Sequence, residues 1–159
     1  MDLTRLVEGL DDTTPLVRTD FSDDVAWRQV LERLARPSSV EDYEPNLAPV
    51  EDRAFTSTTG EALAEAAASI GPIGYVLLAD GRSMTEAAAG TEITVAYVDL
   101  SPYAFEDAED FNTFPGRTFR CVVDEVASIE ANLSIANMDF HEFADSVEAD
   151  GVFRGFPEE

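Results

Sequence analysis

Residues 74–80 (GYVLLAD) and residues 93–100 (ITVAYVDL) decide the fold class. Each is a short and nearly uninterrupted apolar run, which is typical of a strand buried on both faces of a parallel sheet. Between them lies an Ala-rich segment in which Ser83 and Glu86 have capping-box spacing, so a short helical turn is predicted there. Strand, helical turn and strand in this order indicate an α/β layered fold.

Strands and helices alternate on the N-terminal side as well. Residues 15–21 (PLVRTDF) and residues 50–55 predict two strands, each bounded by turn-forming residues. Between them, residues 25–36 show the most regular helical spacing in the chain, and Ser22 is a favourable N-cap for this helix. The apolar face of the predicted helix is formed by Trp27, Val30, Leu31 and Leu34.

The alternation continues to the C-terminus. Residues 60–70 (GEALAEAAASI) predict a helix after a capping box of Thr58 and Glu61, and residues 117–123 (RTFRCVV) predict a fifth strand. Two further helices are predicted over residues 124–136 and 139–151. The second of these begins at Asp139, with Glu142 at capping-box spacing, and its apolar positions Phe140, Phe143, Ala144 and Val147 predict a core-facing side.

Together these elements predict a single-domain layered α/β fold, with a largely parallel central sheet of about four to five strands flanked by helices. Residues 15–156 are expected to form the domain. They follow an N-terminal extension over residues 1–14 and precede a C-terminal tail over residues 157–159.

The charge of the chain is its strongest compositional signal. Ten arginines and no lysine stand against 33 carboxylates, which gives a formal net charge of −23. Residues 41–116 hold most of this charge, with fifteen acidic residues and only Arg53 and Arg82. Direct binding to nucleic acid is excluded, because phosphate backbones are bound through Lys and Arg. The charge favours a basic protein partner, metal cations or a high-salt interior, or it serves only to keep a structural domain soluble.

The cellular location is expected to be cytoplasmic. The first residues have no basic region followed by an apolar run, so no signal peptide is predicted, and the apolar stretches are too short to cross a membrane. Cys121 has no second cysteine with which to form an internal disulfide, which fits a reducing compartment.

Three segments of the chain resemble a known family. They are residues 128–156 (SIEANLSIANMDFHEFADSVEADGVFRGF), residues 16–27 (LVRTDFSDDVAW) and residues 116–120 (GRTFR). Together they resemble a family of small acidic actinobacterial proteins described only as a domain of unknown function. The resemblance implies a bacterial, cytoplasmic, single-domain protein from a GC-rich genome, and it implies no activity.

Three aspartates could form a metal site. Asp20, Asp80 and Asp99 each follow or end a predicted strand, and ligands of parallel α/β sheets bind outside the carboxyl ends of the strands. If the three strands are neighbours, the carboxylates would converge as Mg²⁺ requires, with Arg82 and Ser101 placed to orient a phosphate. The alternative is that these aspartates are turn and cap residues, which is the commoner role of Asp at strand ends.

Cys121 and His141 are the residues from which a nucleophile and its base could be built. Cys121, however, lies in an apolar strand pattern in which a buried, inert thiol is usual. His141 lies in the first turn of a predicted helix, where the helix dipole lowers its basicity. The pattern therefore favours structural roles for both residues.

The best sequence candidate for a binding surface is the long acidic and aromatic loop over residues 101–116. Aromatic side chains beside acidic ones suit a basic, arginine-rich partner surface. The alternative is that the aromatic side chains anchor the loop on the core while the acidic ones face water. The candidate interaction residues are Tyr103, Phe105, Glu106, Asp107, Glu109, Asp110 and Phe111.

The sequence thus predicts an acidic binding domain without a cofactor, such as an inhibitor, an immunity-type protein or an adaptor for a basic protein partner. The competing hypothesis is a Mg²⁺-dependent enzyme that acts on a phosphate-bearing substrate through Asp20, Asp80 and Asp99. The absence of any glycine-rich phosphate loop or catalytic motif in the sequence favours the binding domain.

Overall fold

The computed structural model describes residues 3, 6, 13–35, 46–68, 74–100, 114–134 and 138–156, which form an α/β fold around one six-stranded sheet. The strand order across the sheet is β2-β1-β3-β4-β5-β6. In chain order the strands are β1 (Thr14–Arg18), β2 (Leu47–Val50), β3 (Tyr75–Ala79), β4 (Thr94–Asp99), β5 (Thr118–Val122) and β6 (Val152–Phe153).

Five α-helices are described with this sheet, and each is too short or too polar to cross a bilayer. Two 3-10 turns, Arg53–Phe55 and Val123–Glu125, complete the described elements. The helices are α1 (Asp24–Leu34), α2 (Gly60–Ala67), α3 (Gly81–Ala89), α4 (Val126–Ser134) and α5 (Phe140–Ala144).

The expectation of a largely parallel sheet is wrong. Strand β4 runs antiparallel to both of its neighbours, β3 and β5, so the sheet is mixed. The pairs β1–β2, β1–β3 and β5–β6 are parallel, and the two-residue β6 brings the sheet to six strands. All six residues of β4 are buried. Its nearly uninterrupted apolar sequence therefore reflects cover on both faces of the sheet, which does not depend on strand direction.

The sheet separates two apolar cores. Alternate side chains of each central strand enter different cores, as Leu77 and Val76 do in β3 and Tyr97 and Val98 do in β4. The larger core includes buried side chains of α1, α3, α4 and α5. The smaller one includes side chains of α2 and the Arg53–Phe55 turn, such as Leu63 and Phe55.

The N-terminal elements differ from the predictions at their boundaries. Strand β1 ends at Arg18, and the N-cap of α1 is Asp23 rather than Ser22, since its carboxylate accepts the backbone N–H of Ala26. Trp27, Val30 and Leu34 are buried as predicted, and Leu31 packs partly buried against the same core. The strand predicted over residues 50–55 lies earlier in the chain, as β2 (Leu47–Val50). Within residues 50–55, Val50 is the last residue of β2 and Arg53–Phe55 form a 3-10 turn.

In the C-terminal part, the predicted capping box of Asp139 and Glu142 is confirmed, with the Asp139 N–H donating to Glu142 Oε2 at 2.7 Å. Helix α5 nevertheless ends at Ala144 instead of near Gly151. The chain then makes a turn in which the Gly151 N–H bonds the Glu148 carbonyl and Gly151 has a φ of 82°. This turn leads directly into β6.

Candidate functional site

The carboxyl ends of β1 and β3 lie side by side, and the Thr19 N–H donates to the Ala79 carbonyl at 3.0 Å. From β1 the chain goes through α1 to β2 on one side of β1, and it later returns to β3 on the other side. A reversal of strand order of this kind opens the crevice in which α/β sheets bind ligands. This end of the sheet, called the carboxyl edge below, is therefore the place to look for a site.

Two of the three aspartates proposed as metal ligands meet at the carboxyl edge, and the third does not. A Cβ placed on Gly81, the residue after Asp80, would lie 3.1 Å from Asp20 Oδ2. Asp99 pairs with Tyr75 in the β3–β4 register, because β4 is antiparallel, and so lies at the opposite end of the sheet. The convergence expected for all three aspartates is wrong for Asp99. The described residues contain no group of three or more His, Cys, Asp or Glu that could hold a metal ion.

Asp20 organises the loop after β1. Its Oδ1 accepts the Ser22 N–H at 2.8 Å and the Ser22 hydroxyl at 2.6 Å. These bonds are the main reason why the pKa of Asp20 lies below its ordinary value, and the neighbouring charge of Asp80 opposes them. Asp20 is thus ionised at neutral pH and holds the turn that leads into α1.

Asp80 acts as a cap and as an ion-pair partner. It is the N-cap of α3, where its Oδ1 accepts the Ser83 N–H at 3.1 Å. The Arg120 guanidinium donates to both Asp80 oxygens, at 2.7 and 3.1 Å. Burial raises the pKa of Asp80, but the Arg120 and Ser83 interactions outweigh burial and the net pKa is lowered. This is the cap role that the sequence offered as the alternative to metal binding.

The Asp80–Arg120 pair continues into a polar network on β4 and α3. Arg120 Nε donates to Thr94 Oγ1 at 3.0 Å, and Glu86 Oε1 accepts the Thr94 N–H at 2.8 Å and the Thr94 hydroxyl at 2.7 Å. Arg82, considered from the sequence for phosphate binding, donates to Glu86 Oε2 at 3.2 Å. The network ties β3, β4, β5 and α3 together at the carboxyl edge.

Arg18 is the residue at this edge that the sequence analysis missed. Its side chain is only 3% exposed. Its guanidinium donates to the Asp20 carbonyl at 2.8 Å, to Asp24 at 2.8 Å and to Glu51 at 3.4 Å. One signal was present in the sequence, because strand alternation puts Arg18 on the same face as the core residue Leu16.

Two aromatic rings lie against the Arg18 guanidinium. Its central carbon is 4.7 Å from the centroid of Phe21 and 5.5 Å from that of Trp27, and the Arg53 guanidinium lies 5.0 Å from Phe21. Nearby in the first turn of α1, Val25 is 59% exposed. The residues of this part of the edge are called the Phe21 surface: Phe21, Asp24, Val25, Glu51 and Arg53.

Most described arginines are neutralised within the molecule. Six of the eight form ion pairs with carboxylates, and Arg154 alone contacts Glu92, Glu148 and Asp150 at 2.7–2.8 Å. The other five in ion pairs are Arg18, Arg33, Arg82, Arg117 and Arg120. Since the chain has 33 acidic residues against ten arginines, the pairing leaves a large surplus of carboxylates.

Cys121 and His141 do not have the environments that a nucleophile and its base need. Cys121 is fully buried in β5, and burial raises the pKa of its thiol, whereas a nucleophilic cysteine needs a lowered pKa and access to substrate. His141 lies on α5, with ring nitrogens 3.8 Å from carboxylate oxygens of Asp139 and Asp145. These contacts suit a structural histidine.

The proposed acidic and aromatic loop lies outside the described residues. This applies to Ser101 and to the interaction candidates Tyr103, Phe105, Glu106, Asp107, Glu109, Asp110 and Phe111. Their roles stay predictions from the sequence.

Comparison with known proteins identifies a family. Residues 13–156 match the family described as "Domain of unknown function (DUF6924)", which leaves out only the first twelve and the last three residues. The match confirms the resemblance to a family of unknown function. No curated protein and no solved structure matches the chain.

Proposed function

Since the chain belongs to the DUF6924 family, whose description assigns no activity, we propose from its charges and geometry that it is a binding domain for a basic protein partner. The observation that carries the proposal is the internal neutralisation of its arginines. Six of the eight described arginines are held by the protein's own carboxylates, so few cations in the described part of the chain oppose the field of its net charge of −23.

The surplus charge has a direct kinetic consequence. Exposed acidic side chains such as Glu32 on α1 and Glu61 and Glu65 on α2 lie on different helices, so the field is broad. A broad field of one sign attracts an oppositely charged protein before contact and raises the association rate, most strongly at low salt. An inhibitor, an immunity-type protein or an adaptor would each use such steering.

The Phe21 surface is the proposed contact point within this field. The buried Arg18 holds this surface in place through its bonds to the Asp20 carbonyl, Asp24 and Glu51. Binding therefore has to order few side chains, which lowers its entropy cost. Aromatic and arginine side chains supply most of the energy at protein interfaces, and Phe21 and Arg53 stack here beside acidic neighbours. Asp24 and Glu51 are 74% and 53% exposed, although each also pairs with Arg18. The partner that we propose lays an apolar side chain on Phe21 and Val25 and places its cationic side chains in the surrounding acidic field.

The geometry does not favour the competing hypothesis of a Mg²⁺-dependent enzyme. That hypothesis required Asp20, Asp80 and Asp99 at one edge, and the antiparallel β4 places Asp99 at the opposite end. Asp80 is moreover occupied by the Arg120 guanidinium.

The experiment compares variants with equal charge changes. The probe is a synthetic peptide of alternating arginine and leucine, and its association is followed by stopped-flow fluorescence. We expect Asp24→Asn with Glu51→Gln, on the Phe21 surface, to weaken binding about 3–10-fold more than Glu61→Gln with Glu65→Gln on α2. Equal effects of the two double variants would contradict the proposed contact point.

Further variants test the apolar part of the Phe21 surface and the acidic and aromatic loop over residues 101–116. Val25→Ser should weaken peptide binding without changing the charge, while Ala88→Ser at an exposed position of α3 should not. Joint neutralisation of Glu106, Asp107, Glu109 and Asp110 should slow association, as the sequence predicts for the loop. Urea unfolding of every variant shows whether its fold is intact.

A further inference from the structure

Glu130 is a buried carboxyl group at the contact between α4 and the sheet. The residue is only 7% exposed. One carboxyl oxygen, Oε2, accepts the hydroxyl of Thr14 in β1 at 2.7 Å. The other, Oε1, bonds the hydroxyl of Tyr97, which is fully buried in β4. Both oxygens of Glu130 therefore contact neutral hydroxyl groups.

Among the described residues, no arginine forms an ion pair with Glu130. Ile129 and Val126 on the same helix are buried in the larger core together with Tyr97. On α1, Arg33 is held by Asp124 at 3.0 Å, and on β5 Arg120 is held by Asp80 at 2.7 Å. The other titratable or charged side chains on the surrounding elements are Arg18 on β1, Tyr97 and Asp99 on β4, Cys121 on β5, Asp24, Arg28 and Glu32 on α1, and Asp124 and Glu125 in the turn before α4.

Burial is the dominant influence on this carboxyl group. It raises the pKa of Glu130 above the ordinary value of 4.5, and the hydrogen bonds from Tyr97 and Thr14 offset it only in part. A carboxylate in such a site is disfavoured because two neutral hydroxyls replace its hydration shell. The neutral acid is better accommodated.

We propose that Glu130 is a proton-operated switch in the fold, which tightens the attachment of α4 to β1 and β4 when its carboxylate takes up a proton. The proton comes from solvent and adds to one carboxylate oxygen, giving a neutral acid. A hydroxyl can donate or accept, so either Thr14 or Tyr97 reverses its role and accepts the new O–H. No other covalent bond changes.

The stability of the domain should follow this proton. Because the pKa of Glu130 is higher in the folded than in the unfolded chain, proton binding stabilises the fold. The contribution is fully present below the ordinary value of 4.5 and is lost as the pH rises through the pKa of the folded state. The carboxylates with lowered pKa, such as Asp20 and Asp80, have the opposite dependence.

Glu130→Gln tests the switch because glutamine resembles the protonated acid. We expect the variant to melt about 2–4 °C above the wild type at pH 8, since it carries no buried charge, and the difference to vanish near the ordinary pKa of 4.5. Glu65→Gln on the exposed side of α2 is the control for loss of one negative charge. The pH profile of its melting temperature should differ from that of Glu130→Gln.

A second measurement keeps the test independent of folding of the variant. The side-chain carboxyl ¹³C shift of Glu130 in the wild-type protein should titrate above the ordinary glutamate value of 4.5. Titration of Glu130 at the ordinary glutamate value, or identical pH profiles for Glu130→Gln and Glu65→Gln, would overturn the proposal.

Discussion

Replacing Phe119 with alanine should lower the free energy of unfolding by about 3–5 kcal/mol, which is the usual range for a buried Phe→Ala change. Phe119 lies on β5 and is 4% exposed. Its ring stacks on Tyr97 at 5.5 Å and meets Phe140 edge-on at 5.0 Å. Phe143 and Phe153 each lie 6.4 Å from the same ring. The substitution therefore opens a cavity where strands β4, β5 and β6 meet α5.

Phe114→Ala is the matched control, because Phe114 is the same residue type in the same part of the chain but is 47% exposed. Its loss should cost less than about 1 kcal/mol. Urea unfolding of both variants gives the comparison. Similar losses for the two would mean that the aromatic cluster around Phe119 does not stabilise this half of the sheet.

Asp80→Ala should lower the free energy of unfolding by about 2–4 kcal/mol, since one side chain both caps α3 and neutralises Arg120. Removing it leaves the Arg120 guanidinium, whose side chain is 17% exposed, without its carboxylate partner. The pKa of Asp80 is lowered in the fold, so its charge contributes above the ordinary value of 3.8. The difference from wild type should therefore shrink as the pH falls below that value.

Asp23→Ala separates the cap from the ion pair. Asp23 caps α1 by accepting the Ala26 N–H at 2.9 Å, and the described contacts of its side chain include no arginine. Its removal should cost about 1 kcal/mol, as is typical of an N-cap. If chemical denaturation gave the same loss for Asp23→Ala and Asp80→Ala, the Arg120 pair would add nothing to the cap.

The α/β class and most elements could be predicted from the sequence, because the spacing of apolar residues and the capping of helices are local properties of the chain. Trp27, Val30 and Leu34 fall on one helical face, and Asp139 and Glu142 form the expected capping box. The direction of β4 could not be predicted. A strand covered on both faces has the same apolar sequence whether it runs parallel or antiparallel, and only the β3–β4 pairing reveals the choice.

The wrong strand direction also led to a wrong prediction for one residue of the candidate site. Asp99 was grouped with Asp20 and Asp80 on the assumption that β3 and β4 are parallel, so one reversed strand removed it from the edge. Two other residues were missed although the sequence held a signal. Arg18 lies two residues after Leu16 on β1 and so on the same, core-facing side of the strand. Glu130 lies four residues after Val126 and three before Leu133, on the same apolar face of α4. A charged residue on an apolar face marks a buried polar contact.

We propose that the acidic surface binds a basic partner specifically instead of attracting cations at random. The most direct test measures the affinity of the wild-type protein for two peptides of equal charge, one alternating arginine with leucine and the other arginine with serine, across rising sodium chloride. Both affinities should fall with salt, but the leucine peptide should keep a clear advantage, because apolar contact at Phe21 and Val25 is not screened. Equal affinities that vanish together at high salt would contradict this proposal.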